Sequence, residues 1–289
     1  MCSGVLFLRP DKSVSLRAVW GKYIPKILLC LGVWAVLYEG FDLLRRAYSG
    51  GVGWIDVTAA AKRLLTFNTH FHLYYLYIVL LVYALVPLLR DLLAVLSPRR
   101  MGYLLALWAT VGLVFPFLRQ FYPFTQLTGI PLQYPLNMTW SAAGYCILGH
   151  VLATHPLRRH WALLLSGTGF VCIFCGTAWL SLSRGALSGV FFEGMTPAVA
   201  MLAAGIFSLC CSLTPGRSFA AVTRYLSRAS FCIYLSHDFF NIILRHFGFT
   251  TAVIHPILSA PMSVALVLLG SLGIHLLLSH LPWVKKWLI

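Results

Sequence analysis

The sequence predicts an all-α fold, a polytopic bundle of membrane helices, and three observations carry that prediction. Hydrophobic residues make up 60% of the 289 and charged residues only 10%, with a mean hydropathy of +0.83; soluble domains carry about 25% charge. Apolar runs of about 18–25 residues, long enough to cross ~30 Å of hydrocarbon, recur along the chain. The loops between those runs alternate in charge.

Eight runs meet the length criterion, at approximately 23–42, 70–89, 101–122, 133–153, 160–182, 196–213, 229–247 and 256–282. The stretch "SRGALSGVFFEGM" before the sixth reads as an external loop or a short re-entrant piece. One set of loops holds Arg9, Lys12, Arg17 and Lys22; Arg90, Arg99 and Arg100; Arg158 and Arg159; Arg217, Arg224 and Arg228; and Lys285 and Lys286. With Lys26, just inside the first run, this set has 15 of the 22 basic residues. The other side holds Arg45, Arg46, Lys62, Arg63, Arg119, Arg184 and Arg245. The positive-inside rule makes the first set cytoplasmic, and the C-terminus with it.

The opening "MCSGVLFL" is apolar but too short to span. With no basic region before it and no cleavage site after it, it is not a signal peptide. Residues 1–8 read as the last turns of a helix whose start is missing, in an otherwise single domain over 1–289. The stub is then expected to lack a packing partner and to be poorly ordered.

The formal charge of +15 does not indicate nucleic acid, because the cations sit between apolar runs rather than on one soluble face. The eight Cys are scattered, mostly within apolar runs. Cys172 and Cys175 form a C-x-x-C inside "GFVCIFCGTAWL", which suits helix packing better than redox or metal chemistry.

Ionisable residues at membrane depth cost at least about 2.5–3.5 kcal/mol each and point to a protein-facing or wet surface. In the seventh run Ser230, Tyr234, His237, Asp238, Asn241 and Arg245 follow spacings of three and four, a single helix stripe. Such a stripe is either an interhelical hydrogen-bond network or the wall of a cavity with an ionisable centre. In the fourth run Tyr134, Asn137, Ser141 and Tyr145 share a face, and Gly144 and Gly149 allow close helix approach. The N-M-T at 137–139 matches a glycosylation acceptor by spacing alone. His70 and His72 open the second run; on a helix, i and i+2 point to different faces, so no shared metal is expected. Lys22 and Lys26 stand at i, i+4 at the inner end of the first run, either snorkelling or binding phosphate.

These stretches together resemble the acyltransferase-3 family of integral membrane acyltransferases. The family pattern His-Leu-Trp-Phe-Leu-Tyr, an apolar run and Pro-Leu-Leu-Arg is similar to residues 72–90, where His72, Leu73, Leu76, Tyr77, Pro87 and Arg90 match and Tyr74 and Tyr75 replace Trp and Phe. The pattern Ser-x-x-Ile-Tyr-Leu-x-His is matched by Ser230, Ile233, Tyr234, Leu235 and His237, with Asp238 in place of the common Pro. "KYIPKILLCLGVWAVLY" is similar to the family's basic, Pro-containing start of a helix, and "MCSGVLFL" to its Ser-Gly segment ending the second helix.

The resemblance implies a ten-helix family fold and the transfer of an acyl group, acetyl in the first instance, from acyl-CoA to a hydroxyl of a cell-surface sugar, polysaccharide or glycolipid. It implies a multi-pass protein of the bacterial inner (plasma) membrane, with acyl-CoA as co-substrate and no bound cofactor or metal. His72 and His237 become the catalytic candidates, and Lys22, Lys26, Tyr77, Tyr234, Asp238 and Asn241 the substrate-binding ones. The family's Arg and primary catalytic His belong to a first helix with no counterpart here, so impaired activity is expected. A transporter or flippase, or an inactive family member, is the alternative.

Overall fold

The computed structural model describes residues 1–9, 14–131, 134–213, 216–249 and 255–288. Lys12, Gln133 at the start of the fourth run, and Ile289 lie outside the described residues, as do the side chains of Arg217 and Lys286.

Among the described residues every regular element is a helix. In chain order they are α1 (Cys2–Phe7), α2 (Leu16–Ser49), α3 (Trp54–Leu65), α4 (Phe71–Val95), α5 (Pro98–Leu118), a 3-10 turn at Phe124–Gln126, α6 (Met138–Thr154), α7 (Arg159–Arg184), α8 (Pro197–Ser212), α9 (Arg217–His246), α10 (Pro256–Ser279) and α11 (Pro282–Trp287). Each of the eight apolar runs is a helix. Helices α2, α4, α5, α7 and α10 are long and apolar enough to cross a membrane. Helix α8 is apolar but has 16 residues, α6 has 17, and the 30 residues of α9 include a polar first third.

Two of the long helices change pitch next to proline. Proline offers no N–H to the carbonyl four residues back, and its ring crowds that carbonyl. Pro25 follows a π-helical stretch at Val19–Tyr23, and Pro116 follows one at Thr110–Val114. The carbonyl freed by Pro116 is that of Gly112. Ser141 Oγ donates to it at 3.2 Å, so the widened turn gains a partner on α6.

The chain divides into two compact units. The first comprises Met1–Trp20 and Ile78–Thr214. Here glycines set the helix spacing. A Cβ on Gly144 would run into the Trp108 ring, whose Nε1–H donates to the Ser141 carbonyl at 2.9 Å, so α5 lies close on α6. Gly149 meets the Met1 backbone and Gly4 meets the Cys146 carbonyl, so α1 packs against α6. Gly169 and Gly205 bring α7 against α8 in the same way.

The opening stub therefore has a partner, contrary to expectation. Leu8 is buried, the Phe7 ring packs edge-on against Tyr83, and Arg90 donates to the carbonyls of Phe7 and Arg9 at 2.9 and 3.0 Å. Phe7 is the last residue of α1 and Arg9 follows it by two, so the cation stands at the carbonyl end of the helix, where it is favourable. Asn137 is not inside the helix of the fourth run. It is the N-cap of α6, accepting from Trp140 N–H at 3.1 Å, while the Tyr134 ring lies ahead of the helix against Phe115.

The second unit comprises Gly21–Tyr77 and Pro215–Ile289. Helix α10 packs on α9 with Gly270 against the Phe240 ring, and Cys30 Sγ on α2 donates to the Trp287 carbonyl of α11 at 3.1 Å. Helix α3 is an addition to the sequence-predicted elements, in a segment expected to be loop. Its N-terminus is held by Asp56, which accepts from Gly53 N–H at 3.0 Å and from Arg46 Nη1 at 2.8 Å. The Gly53 amide first, and then the Arg46 guanidinium, hold the Asp56 carboxyl below its usual range.

Candidate active site

The site lies in the second unit, where α2, the start of α4 and α9 meet. Tyr38 of α2 is its floor. The side chain is fully buried, its hydroxyl donates to the Leu235 carbonyl of α9 at 2.8 Å, and its ring stacks on Phe239 at 4.0 Å between centroids. The histidines pack against the same ring: the Tyr38 centroid is 4.5 Å from that of His70 and 4.8 Å from that of His72.

His70 precedes α4 with an extended backbone (φ −58°, ψ 132°), and His72 sits in the short 3-10 turn that begins the helix. The rule that i and i+2 diverge holds only inside a helix. Both imidazoles instead turn toward Asp238 of α9. His70 Nδ1 is 3.4 Å and His72 Nδ1 3.5 Å from the same carboxylate oxygen, Oδ2. The second nitrogen of His70, Nε2, is 3.2 Å from Asp42 Oδ2 on α2. His70, His72 and Asp238 could together hold a metal ion, which corrects the expectation of divergent histidines. His72 is 4% exposed, and neither of its ring nitrogens has a hydrogen-bond partner.

His237 completes the group. Its Nδ1 bonds the Tyr234 carbonyl at 2.6 Å, and its ring centroid is 5.2 Å from that of His72. A carbonyl only accepts, so Nδ1 carries a proton, and the tautomer of the neutral ring that fits this bond has its lone pair on Nε2. Tyr234 itself is committed to the frame: its hydroxyl donates to the His72 carbonyl, and its ring packs against Tyr75. Asn241 continues the same face of α9 one turn on, joining none of these bonds, and Ser230 turns back to the Ser227 carbonyl.

The remaining sequence candidates lie elsewhere. Lys22 and Lys26 precede Tyr38 by 12–16 residues on α2, about 18–24 Å at 1.5 Å per residue. The Lys22 ammonium stands over the Tyr23 ring. Tyr77 points its hydroxyl to the Phe67 carbonyl at 3.5 Å, beside an apolar groove lined by Leu28, Gly32, Val36 and Leu65.

Sequence reading missed Glu39, Asp42 and Arg63. Glu39 is 3% exposed and is gripped by Arg63 of α3, with Nη2 to Oε2 at 2.7 Å and Nε to Oε1 at 3.0 Å. That bond to Glu39 is the main reason the Arg63 pKa rises above its already high value. Two acids within "WAVLYEGFDLL" are as costly at membrane depth as His237 and Asp238, so the same criterion would have found them.

No curated protein and no solved structure matches the chain at a level that shows kinship. The profile of the acyltransferase domain family does match, from residue 1 to residue 279. That match takes in His70, His72, His237 and Asp238 as well as the whole of α2, and the chain belongs to the acyltransferase-3 family.

Proposed function

We propose that this membrane acyltransferase moves a short acyl group, acetyl in the first instance, from acyl-CoA to a hydroxyl of a cell-surface sugar, polysaccharide or glycolipid. The observation that carries the reading is His237: its Nδ1 proton is tied to the Tyr234 carbonyl, which in the neutral ring puts the lone pair on Nε2 for a substrate hydroxyl. A hydroxyl oxygen is a poor nucleophile until its proton has somewhere to go, and a positioned base contributes about 10²–10⁴-fold.

The steps balance simply. His237 Nε2 takes the acceptor proton as the oxygen attacks the thioester carbonyl. The tetrahedral intermediate then expels the CoA thiolate, the C–S bond breaks, and the proton passes from Nε2 to sulfur. His72, buried against Tyr38, shapes the wall beside this base, and Asn241 lies one turn along the same face for the acceptor. Lys22 and Lys26, at the cytoplasmic end of α2, would hold the CoA phosphates, which the pantetheine arm separates from the thioester.

Purified protein in nanodiscs, given labelled acetyl-CoA, tests the reading. Label should reach an added polysaccharide or glycolipid acceptor, and CoA release should rise with acceptor concentration. Acceptor-independent hydrolysis alone, or transport of acceptor with no label transferred, would refute it.

A further inference from the structure

We propose that His70, His72 and Asp238 are the protein ligands of a divalent transition-metal site, of the kind Zn²⁺ fills. Three donors from two separated stretches of chain lie within 4.8 Å of one another. In a tetrahedral site with metal–ligand bonds of about 2.0–2.1 Å, neighbouring ligand atoms are about 3.3–3.4 Å apart. The Asp238 Oδ2 edges to His70 Nδ1 and His72 Nδ1, at 3.4 and 3.5 Å, already have that length.

Two further observations point to a ligand rather than to a plain hydrogen-bond network. His72 is almost wholly buried, yet neither ring nitrogen makes a hydrogen bond, Nδ1 facing only the Asp238 carboxylate at 3.5 Å, an arrangement that is costly if nothing binds there. Asp42 Oδ2 stands 3.2 Å from His70 Nε2, on the far side of the ring from Asp238. A carboxylate behind a histidine in this way fixes the tautomer, keeps the Nδ1 lone pair forward and raises ligand basicity.

The donor set selects the metal. Two imidazoles and a carboxylate suit Zn²⁺, Co²⁺ or Ni²⁺, and the absence of thiolate from the described cluster argues against Cu(I). Three protein ligands leave the fourth position of a tetrahedral ion for a substrate oxygen, the pattern of catalytic sites. The part this ion would take in acyl transfer rests on the reading above: beside His237 it would bind the acceptor hydroxyl or polarise the thioester carbonyl. Metal binding itself stands without that reading.

The test is Co²⁺ and Zn²⁺ binding to the chelator-stripped, full-length protein in detergent. One equivalent of Co²⁺ should bind with the intense visible absorption of a tetrahedral ion, and Zn²⁺ should displace it. His72→Gln and Asp238→Asn should abolish the absorption. Asp42→Asn should weaken affinity by about 10–100-fold without removing it, and exposed His155→Gln should change nothing. X-ray absorption of the wild-type Zn²⁺ protein provides a readout independent of any variant, with two imidazoles in the first shell expected. Failure to bind at micromolar metal, or a shell without imidazole, overturns the site. Metal binding without acyl transfer would refute the acyltransferase reading and leave the site standing. Full transfer by the stripped protein would overturn the metal's part in catalysis.

Discussion

Arg63 holds Glu39 through two guanidinium nitrogens, and this pair ties α3 to the helix that carries Tyr38 and Asp42. Glu39 is almost fully buried, so its charge depends on that partner. Arg63→Met should destabilise the protein by about 3 kcal/mol, the usual cost of stranding a buried charge. Glu39→Gln in the same chain should restore much of the loss. Thermal unfolding of the three proteins measures both, and a loss for Arg63→Met within about 0.5 kcal/mol would reduce the pair to an ordinary surface bridge.

The amino end of α3 should respond to acid. The Asp56 carboxyl is held below its usual range by the Gly53 amide and then by Arg46. A depressed pKa means the folded state favours the charged form. The contribution is complete above the ordinary aspartate value of about 3.9 and disappears as pH falls through the lower folded value. Amide exchange at the first turn of α3 should therefore quicken, relative to α2, only below about pH 4. In Asp56→Asn it should already be fast at neutral pH, and no difference between the two proteins would remove Asp56 from the cap.

Arg90 should govern the amino terminus. It donates to the carbonyl of Phe7, which ends α1, and to that of Arg9 just beyond it, and hydrogen bonds from a charged donor contribute about 1.5–3 kcal/mol. Arg90→Ala should speed hydrogen exchange and proteolysis over residues 1–9 while leaving α7 and α8 protected. Unchanged exchange at Gly4 and Leu8 would mean that packing on α6 alone holds the segment.

The spans and their glycine contacts were legible in the sequence because they are local or periodic signals. Eight apolar runs became eight helices, and Gly144 and Gly149 lie at close helix contacts, as small residues in membrane helices should. Helix α3 was not legible: its 12 residues lie between a Gly-rich turn and "TFNTH", and its anchor to Glu39 depends on a residue 24 positions away. The convergence of His70 and His72 was hidden for a related reason, since helix spacing was applied to a residue whose backbone is extended. The membrane-depth criterion that found His237 and Asp238 applied equally to Glu39 and Asp42. Their role was missed because acids near a span end read as interfacial until a partner from another helix is known.

The central claim is that His237 is the proton acceptor of an acyl transfer centred on α9. Its most direct test is the transfer rate of His237→Gln, which keeps ring-sized volume but supplies no basic nitrogen, measured on protein whose unfolding temperature matches wild type. With saturating acyl-CoA and acceptor, the account predicts a fall in kcat of about 10²–10⁴-fold, with little change in acyl-CoA affinity. A His237→Gln protein that transfers acyl groups at the wild-type rate would contradict it.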